Sequence, residues 1–146
     1  MRDHMPIPTY KAPNNTAYDV VIVGGAAVGS STAYWLSQAG GLSVLVVERD
    51  STYEFSSTAL STSAIRQQYS NPINVKISQF GVEFIRGFAA RMAEYFPSEA
   101  PPDLGFKEHG YLYCTSPDGV EAAQARVEMQ RAHGAHTVFL DQAALK

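Results

Sequence analysis

The first ordered hydrophobic pattern lies near residue 20, where residues 20–23 form an uninterrupted β-branched run. Such a run is typical of a strand that is covered on both faces of a parallel sheet. A glycine-rich turn over residues 24–29 follows, then a helix-compatible segment over residues 30–39 and a second β-branched run over residues 43–47. Strand, turn, helix and strand within thirty residues predict one βαβ unit.

The next segment is polar but is not a plain linker. Eight of the thirteen positions over residues 51–63 are Ser or Thr. The same stretch contains Tyr53 and Phe55, which a flexible linker does not need. We therefore interpret it as a polar loop with anchoring side chains.

A long amphipathic helix is predicted to begin at Asn71, with Asn71 as the N-cap and Pro72 at the first helical position. It is expected to end before Pro97, and its apolar stripe is predicted to face the core. That stripe contains Ile73, Ile77, Phe80, Phe84, Phe88 and Met92. A strand or hairpin over residues 106–115, a helix over residues 121–133 and a strand over residues 137–140 complete the predicted elements.

These elements leave a parallel sheet with open edges, so we predict an incomplete α/β fold that is the N-terminal portion of a larger protein. Residues 1–17 contain three prolines and little apolar pattern, and they are predicted to be a flexible leader.

Composition and charge narrow the class of protein. The 146 residues carry 11 Lys and Arg against 14 Asp and Glu, and a net charge of −3 argues against nucleic-acid binding. Cys114 is the single cysteine, so a disulfide scaffold is excluded, and we predict a buried thiol and no metal site. No apolar run reaches the length of a membrane span. We expect a cytoplasmic protein, with a mitochondrial location as the alternative.

The glycine-rich turn predicts a dinucleotide site, because a strand precedes it, a helix follows it and an acid lies 19 residues after its last glycine. Gly24 allows the tight turn, and Gly29 allows close packing of the helix on the strands. Backbone amides at residues 26–30 are expected to bind a pyrophosphate. Glu48 is expected to accept the ribose hydroxyls and to disfavour a 2′-phosphate, although the adjacent Arg49 weakens that inference.

Ala26 departs from the usual pattern, which has glycine at this position so that the backbone can approach the pyrophosphate closely. Alanine has the smallest Cβ, so we expect a displaced pyrophosphate or weaker binding rather than loss of binding.

The residues also resemble a known family. Residues 19–34 and 47–50 resemble the FAD-dependent oxidoreductases of the D-amino-acid oxidase superfamily. Residues 57–74 are similar to the sarcosine and dimethylglycine oxidase and dehydrogenase branch, and residues 110–113 resemble an early strand of that family's substrate domain.

The resemblance implies a Rossmann-like FAD-binding βαβ domain over residues 18–100 and the beginning of a mixed α+β substrate domain over residues 101–146. It implies FAD as the cofactor, bound non-covalently within this segment, since no His or Cys lies between residues 19 and 108. The implied cofactor-binding residues are Gly24, Gly25, Ala26, Ala27, Val28, Gly29, Glu48, Arg49, Ser57, Thr58, Ser61, Arg66, Gln67 and Gln68. Arg66 is the implied catalytic residue, which stabilises the reduced flavin or holds a substrate carboxylate.

The implied reaction is oxidation of a C–N bond of a secondary or tertiary amine or an amino acid, by hydride transfer to flavin N5. The implied binding partner of the protein is a small-molecule amine or amino acid, and the electron acceptor is left open. Three alternatives stay open: an NAD-linked dehydrogenase, an inert truncated fragment, and a non-catalytic flavoprotein assembly factor. The last is included because one mitochondrial member of the branch is linked to assembly of a respiratory complex.

Overall fold

A computed structural model describes residues 12–145, so Lys146 and residues 1–11 of the predicted leader lie outside the described residues. The chain divides into two compact units, Met1–Ala64 and Ile65–Lys146. The predicted boundary near residue 100 concerns which parts bind cofactor and substrate, and it stays a prediction.

The first unit is a βαβ motif. Strand β1 is Val20–Val23, helix α1 is Ala27–Ala39 and strand β2 is Val44–Val47. The two strands pair in parallel, with Val20 opposite Val44. Parallel neighbours need a crossover connection, and α1 supplies it by packing on both strands. The α/β fold class predicted from the sequence is thereby confirmed.

A reciprocal clamp joins the segments that enter the two strands. The amide and hydroxyl of Ser43 donate to the Asp19 carboxylate at 2.8 and 2.7 Å, and the Asp19 amide donates to the Ser43 carbonyl at 3.1 Å. These hydrogen bonds lower the pKa of Asp19 below its ordinary value, so the carboxylate stays charged at neutral pH. The clamp therefore fixes the pairing of β1 with β2 at its starting end.

The second unit is helical. Helix α2 is Pro72–Arg86, helix α3 is Phe88–Tyr95 and helix α4 is Val120–Ala132, which follows a 3-10 turn at Pro117–Gly119. The predicted start of α2 is confirmed, since Pro72 lies in the first turn and Asn71 accepts a hydrogen bond from the Ile73 amide at 3.0 Å.

The prediction of one helix from residue 72 to residue 96 is wrong, because the chain breaks at Gly87. Gly87 has φ −83° and ψ 0°, which ends the regular α2 geometry before α3 begins. Glycine has a helix propensity about 1 kcal/mol below that of alanine, which favours a break at Gly87, although α2 continues through Gly81.

The predicted core stripe of α2 is also wrong in its first half. Ile73, Ile77 and Phe80 are 59, 60 and 57% exposed. The buried face instead carries Val75 and Val82, seven residues apart, with Ser78 between them. The helix has apolar residues on two faces, and periodicity alone does not say which face meets the neighbouring helix α4.

The predicted strands over residues 106–115 and 137–140 are not formed within the described residues. A strand needs a ladder partner, and the described residues offer none to these segments. Glu108 is instead tied to α2 by two hydrogen bonds from the Arg86 guanidinium, at 2.8 and 2.7 Å. Cys114 is exposed, so the prediction of a buried thiol is wrong.

Candidate functional site

The turn between β1 and α1 is built on two glycines with different tasks. Gly24 has φ +97°, a left-handed conformation that favours glycine, and its amide donates to the Val47 carbonyl at 2.8 Å. A Cβ on Gly29 would overlap the Gly24 carbonyl oxygen and lie 2.9 Å from the Gly24 carbonyl carbon. Only glycine at position 29 therefore lets α1 approach the end of β1 this closely.

The first turn of α1 presents unpaired amides. The first helical hydrogen bond runs from the Ser30 amide to the Ala26 carbonyl at 2.9 Å. Among residues 12–145, the amides of Ala27, Val28 and Gly29 have no hydrogen-bond partner, and no side chain caps the helix. Free amides and the positive end of the helix dipole suit an anion such as a diphosphate.

Ala26 fits the turn without backbone strain. Its φ is −67°, which any L-residue adopts, so the alanine at this position does not disturb the turn itself. The expected displacement or weakening of a bound pyrophosphate stays a prediction.

Glu48 lies directly beside the turn. Its Oε2 accepts a hydrogen bond from the Gly25 amide at 2.6 Å, and its Oε1 accepts one from the Asp50 amide at 2.9 Å. These bonds, the Gly25 bond first, lower the pKa of the carboxyl below its ordinary value. Each carboxylate oxygen retains a second lone pair that can accept a ligand hydroxyl.

The turn, the end of β2 and the polar loop enclose an open cavity of about 800 Å³. Of the residues predicted from sequence to bind the cofactor, the cavity is lined by Gly24, Ala26, Ala27, Val28, Gly29, Glu48, Arg49, Ser57 and Thr58. Gly25 is buried and is not part of the lining. Ser61 is not part of the lining, and its hydroxyl donates to the Thr58 carbonyl at 2.8 Å.

Tyr53 also lines the cavity, although the sequence favoured the role of a loop anchor over packing on an adenine ring. Its φ is +58°, a region that non-glycine residues rarely occupy. Its hydroxyl lies 2.8 Å from the position that a Cβ on Gly25 would take. The sequence signal was an aromatic residue within a Ser/Thr-rich loop, close after the acid.

The remaining predicted site residues lie in the second unit. The Arg66 guanidinium lies over the rings of Tyr69 and Tyr113, 5.1 and 5.3 Å from their centroids, and it donates a hydrogen bond to the Tyr113 hydroxyl. Gln68 donates to the Tyr111 carbonyl at 3.1 Å, and the Gln67 carbonyl accepts from the Tyr69 amide. The sequence analysis did not identify the contacts of Arg66 with these two tyrosines. Tyr113 is 47 residues away from Arg66 in the chain.

Arg66 has no acidic partner in the part of the chain that the structure describes. Its charge is met by two aromatic rings and one hydroxyl, and the side chain is exposed. A guanidinium with these contacts still has N–H groups that can donate to an anionic ligand.

Residues 12–145 contain no group of three or more His, Cys, Asp or Glu side chains arranged to bind a metal ion. Within the same range, every helix is too short or too polar to cross a membrane.

Comparison with known proteins gives one family. Residues 19–146 match the family described as DAO, FAD dependent oxidoreductase. Relatives named FAD-dependent oxidoreductase domain-containing protein 1 are 44% identical in Bos taurus and 40% identical in Xenopus laevis, over 88 and 91% of this chain. A homolog from Drosophila melanogaster is 38% identical over 95% of the chain. No solved structure matches.

The chain spans about a quarter of the length of these relatives, 27% for the first two and 26% for the third.

Proposed function

Because this chain belongs to the DAO family of FAD-dependent oxidoreductases, we propose that it holds FAD for the oxidation of a C–N bond in a secondary or tertiary amine or an amino acid. FAD is the cofactor of this family, and the general class of activity is oxidoreductase. Sarcosine- and dimethylglycine-like compounds are the proposed substrates, since residues 57–74 resemble that branch.

The residues of the first unit fit the diphosphate and ribose of FAD. The free amides of Ala27, Val28 and Gly29 are donors, as the oxygens of a diphosphate require. The Glu48 carboxylate is an acceptor, as ribose hydroxyls require. The hydroxyls of Ser57 and Thr58 line the same cavity and suit a ribityl chain.

When bound, FAD supplies the hydride acceptor, and the protein supplies position and electrostatics. Arg66 is proposed to contribute a fixed positive charge toward the reduced flavin or a substrate carboxylate. Its support is an exposed guanidinium that is oriented by Tyr69 and Tyr113 and lacks an acidic partner among the described residues. An amine that enters in its neutral form needs no general base.

One observation carries the proposal: unpaired amides at the start of α1 lie in a cavity that Glu48 also lines, and Glu48 is bonded to the turn. The test is a titration of the purified chain with FAD, in which quenching of the flavin fluorescence measures binding. Saturable binding that Gly29→Ala removes supports the cofactor site, and absence of saturable binding contradicts it.

The substrate is tested separately on the FAD-loaded protein under anaerobic conditions. Sarcosine or dimethylglycine is expected to bleach the visible absorbance of the flavin. If FAD binds and no amine bleaches it, the amine oxidation is wrong and the non-catalytic assembly factor becomes the better reading. If NADH binds and FAD does not, the chain is the NAD-linked alternative.

A further inference from the structure

We propose that Tyr53 binds the FAD diphosphate, with its phenolic hydroxyl as the hydrogen-bond donor. The inference rests on the proposed function of the cavity. It adds a residue that neither the glycine pattern nor the acid after β2 indicates.

The loop holds Tyr53 in a conformation that it does not adopt by preference. A φ of +58° costs a tyrosine about 1 kcal/mol or more and persists only where surrounding contacts impose it. Here the Tyr53 amide donates to the Asp50 carbonyl at 3.1 Å, and the Tyr53 carbonyl accepts from the Ser56 amide at 2.9 Å. Asp50 is itself fixed, since its carboxylate accepts from the amide and hydroxyl of Thr52 at 3.0 and 2.6 Å.

The conformation directs the phenol toward the glycine turn. A Cβ on Gly25 would lie 2.8 Å from the Tyr53 hydroxyl and 3.4 Å from the Glu48 Cβ. The hydroxyl therefore lies beside Gly25, whose amide donates to Glu48. In the chain, Gly25 comes shortly before the free amides of Ala27 to Gly29.

The hydroxyl is available to a ligand. Within residues 12–145 it has no hydrogen-bond partner, and the side chain is 38% exposed. A tyrosine hydroxyl without a protein partner can donate one hydrogen bond to a ligand.

The hydrogen-bonding capacities of Glu48 and Tyr53 differ, and so do the ligand atoms that each can bind. The charged Glu48 carboxylate only accepts, so it suits ribose hydroxyls, whereas diphosphate oxygens only accept and need donors. Tyr53 is a side-chain donor directed at the same turn as the free amides. Because the hydroxyl lies at this turn, we assign it to the diphosphate.

The test compares the complete chain with its Tyr53→Phe variant, which keeps the ring and removes only the hydroxyl. Isothermal titration with ADP and with FAD measures the affinity, and circular dichroism measures the midpoint of thermal unfolding. Tyr53→Phe is expected to weaken both ligands about 10-fold, the usual effect of losing a hydrogen bond to a charged group, with an unchanged midpoint. Tyr18→Phe is the matched control, because Tyr18 lies in the same unit and outside the cavity lining.

Four results overturn the inference in distinguishable ways. Unchanged affinity in Tyr53→Phe shows that the hydroxyl contributes nothing to binding. A loss for FAD without a loss for ADP places the contact on the flavin half. A lower unfolding midpoint with unchanged affinity assigns Tyr53 a purely structural role. Failure of the wild-type chain to bind either ligand overturns the proposed function itself.

Discussion

The Gly25 amide and the Glu48 carboxylate lie 2.6 Å apart, so the acid that follows β2 is bonded directly to the turn that follows β1. One side chain thereby fixes the shape of the glycine turn and still offers lone pairs to a ligand. The glycine turn and Glu48 are consequently one structural unit, so a substitution at Gly25 or at Glu48 is expected to affect the other residue.

Glu48→Gln is expected to weaken FAD binding about 10-fold or more, because the neutral amide has a single acceptor oxygen where the carboxylate has two. Fluorescence titration measures the affinity. Glu54→Gln is the matched control, since Glu54 lies in the same unit outside the cavity lining. Equal weakening by both variants would show a general effect of charge and not a local contact.

Acid is expected to destabilise the first unit through Glu48 and Asp19. Both carboxyls have a pKa lowered by hydrogen bonds, with the Gly25 amide as the main cause for Glu48 and Ser43 for Asp19. Their stabilisation is present above the ordinary carboxyl pKa and is lost as the pH falls through the lowered values. Urea unfolding from pH 7 downward measures this. An Asp19→Asn, Glu48→Gln double variant should show a flatter acid limb, and an identical limb would contradict the assignment.

Gly29→Ala is expected to abolish FAD binding and to destabilise the chain by about 1–3 kcal/mol, the range found for overpacking. The added Cβ meets backbone atoms of Gly24, which cannot move away as a flexible side chain can. Gly81→Ala is the control, because a Cβ there meets nothing within 4 Å and improves the helix propensity of α2. Urea unfolding should show a lower free energy of unfolding for Gly29→Ala and a higher one for Gly81→Ala than for the wild-type chain.

Arg66→Met is expected to shift the reduction potential of bound FAD to more negative values, because the proposed role of Arg66 is to stabilise the reduced flavin with its positive charge. Spectroelectrochemical titration measures the potential. Arg91→Met is the matched control, since Arg91 is also stacked on a ring, 5.4 Å from the centroid of Phe84. The proposed role of Arg66 fails if both variants keep the wild-type potential.

Asn71→Ala is expected to lower the stability of the second unit by about 1 kcal/mol, because the Ile73 amide loses its cap. Thermal or urea unfolding measures the loss. Asn74→Ala, inside the same helix, removes no cap and should have a smaller effect. A larger effect at Asn74 than at Asn71 would contradict the capping assignment.

Local features of the fold were predictable from sequence. The βαβ unit, the Asn71 cap and the position of Gly29 follow from short-range rules about β-branched runs, capping and close packing. Each depends on residues that are neighbours in sequence or on one helix turn, and each is present in the structure.

The errors arose where the outcome depends on distant partners. Residues 106–115 have a strand-like composition but no ladder partner among the described residues, and Phe80 lies on the helix face opposite to Val75 and Val82. The contact between Arg66 and Tyr113 was missed because the two residues are 47 positions apart in the chain. Composition and periodicity carry no information on which distant segments meet.

The clamp between Asp19 and Ser43 has a consequence for the opposite end of the strands. A slip of one strand by one position would turn all of its side chains to the other face of the sheet. Continued by one residue, the register places Glu48 opposite Gly24, and such a slip would bring Arg49 or Val47 there in place of the acid. By opposing such a slip, a serine and an aspartate at the entrance of the sheet decide which side chain lies beside the glycine turn at the exit.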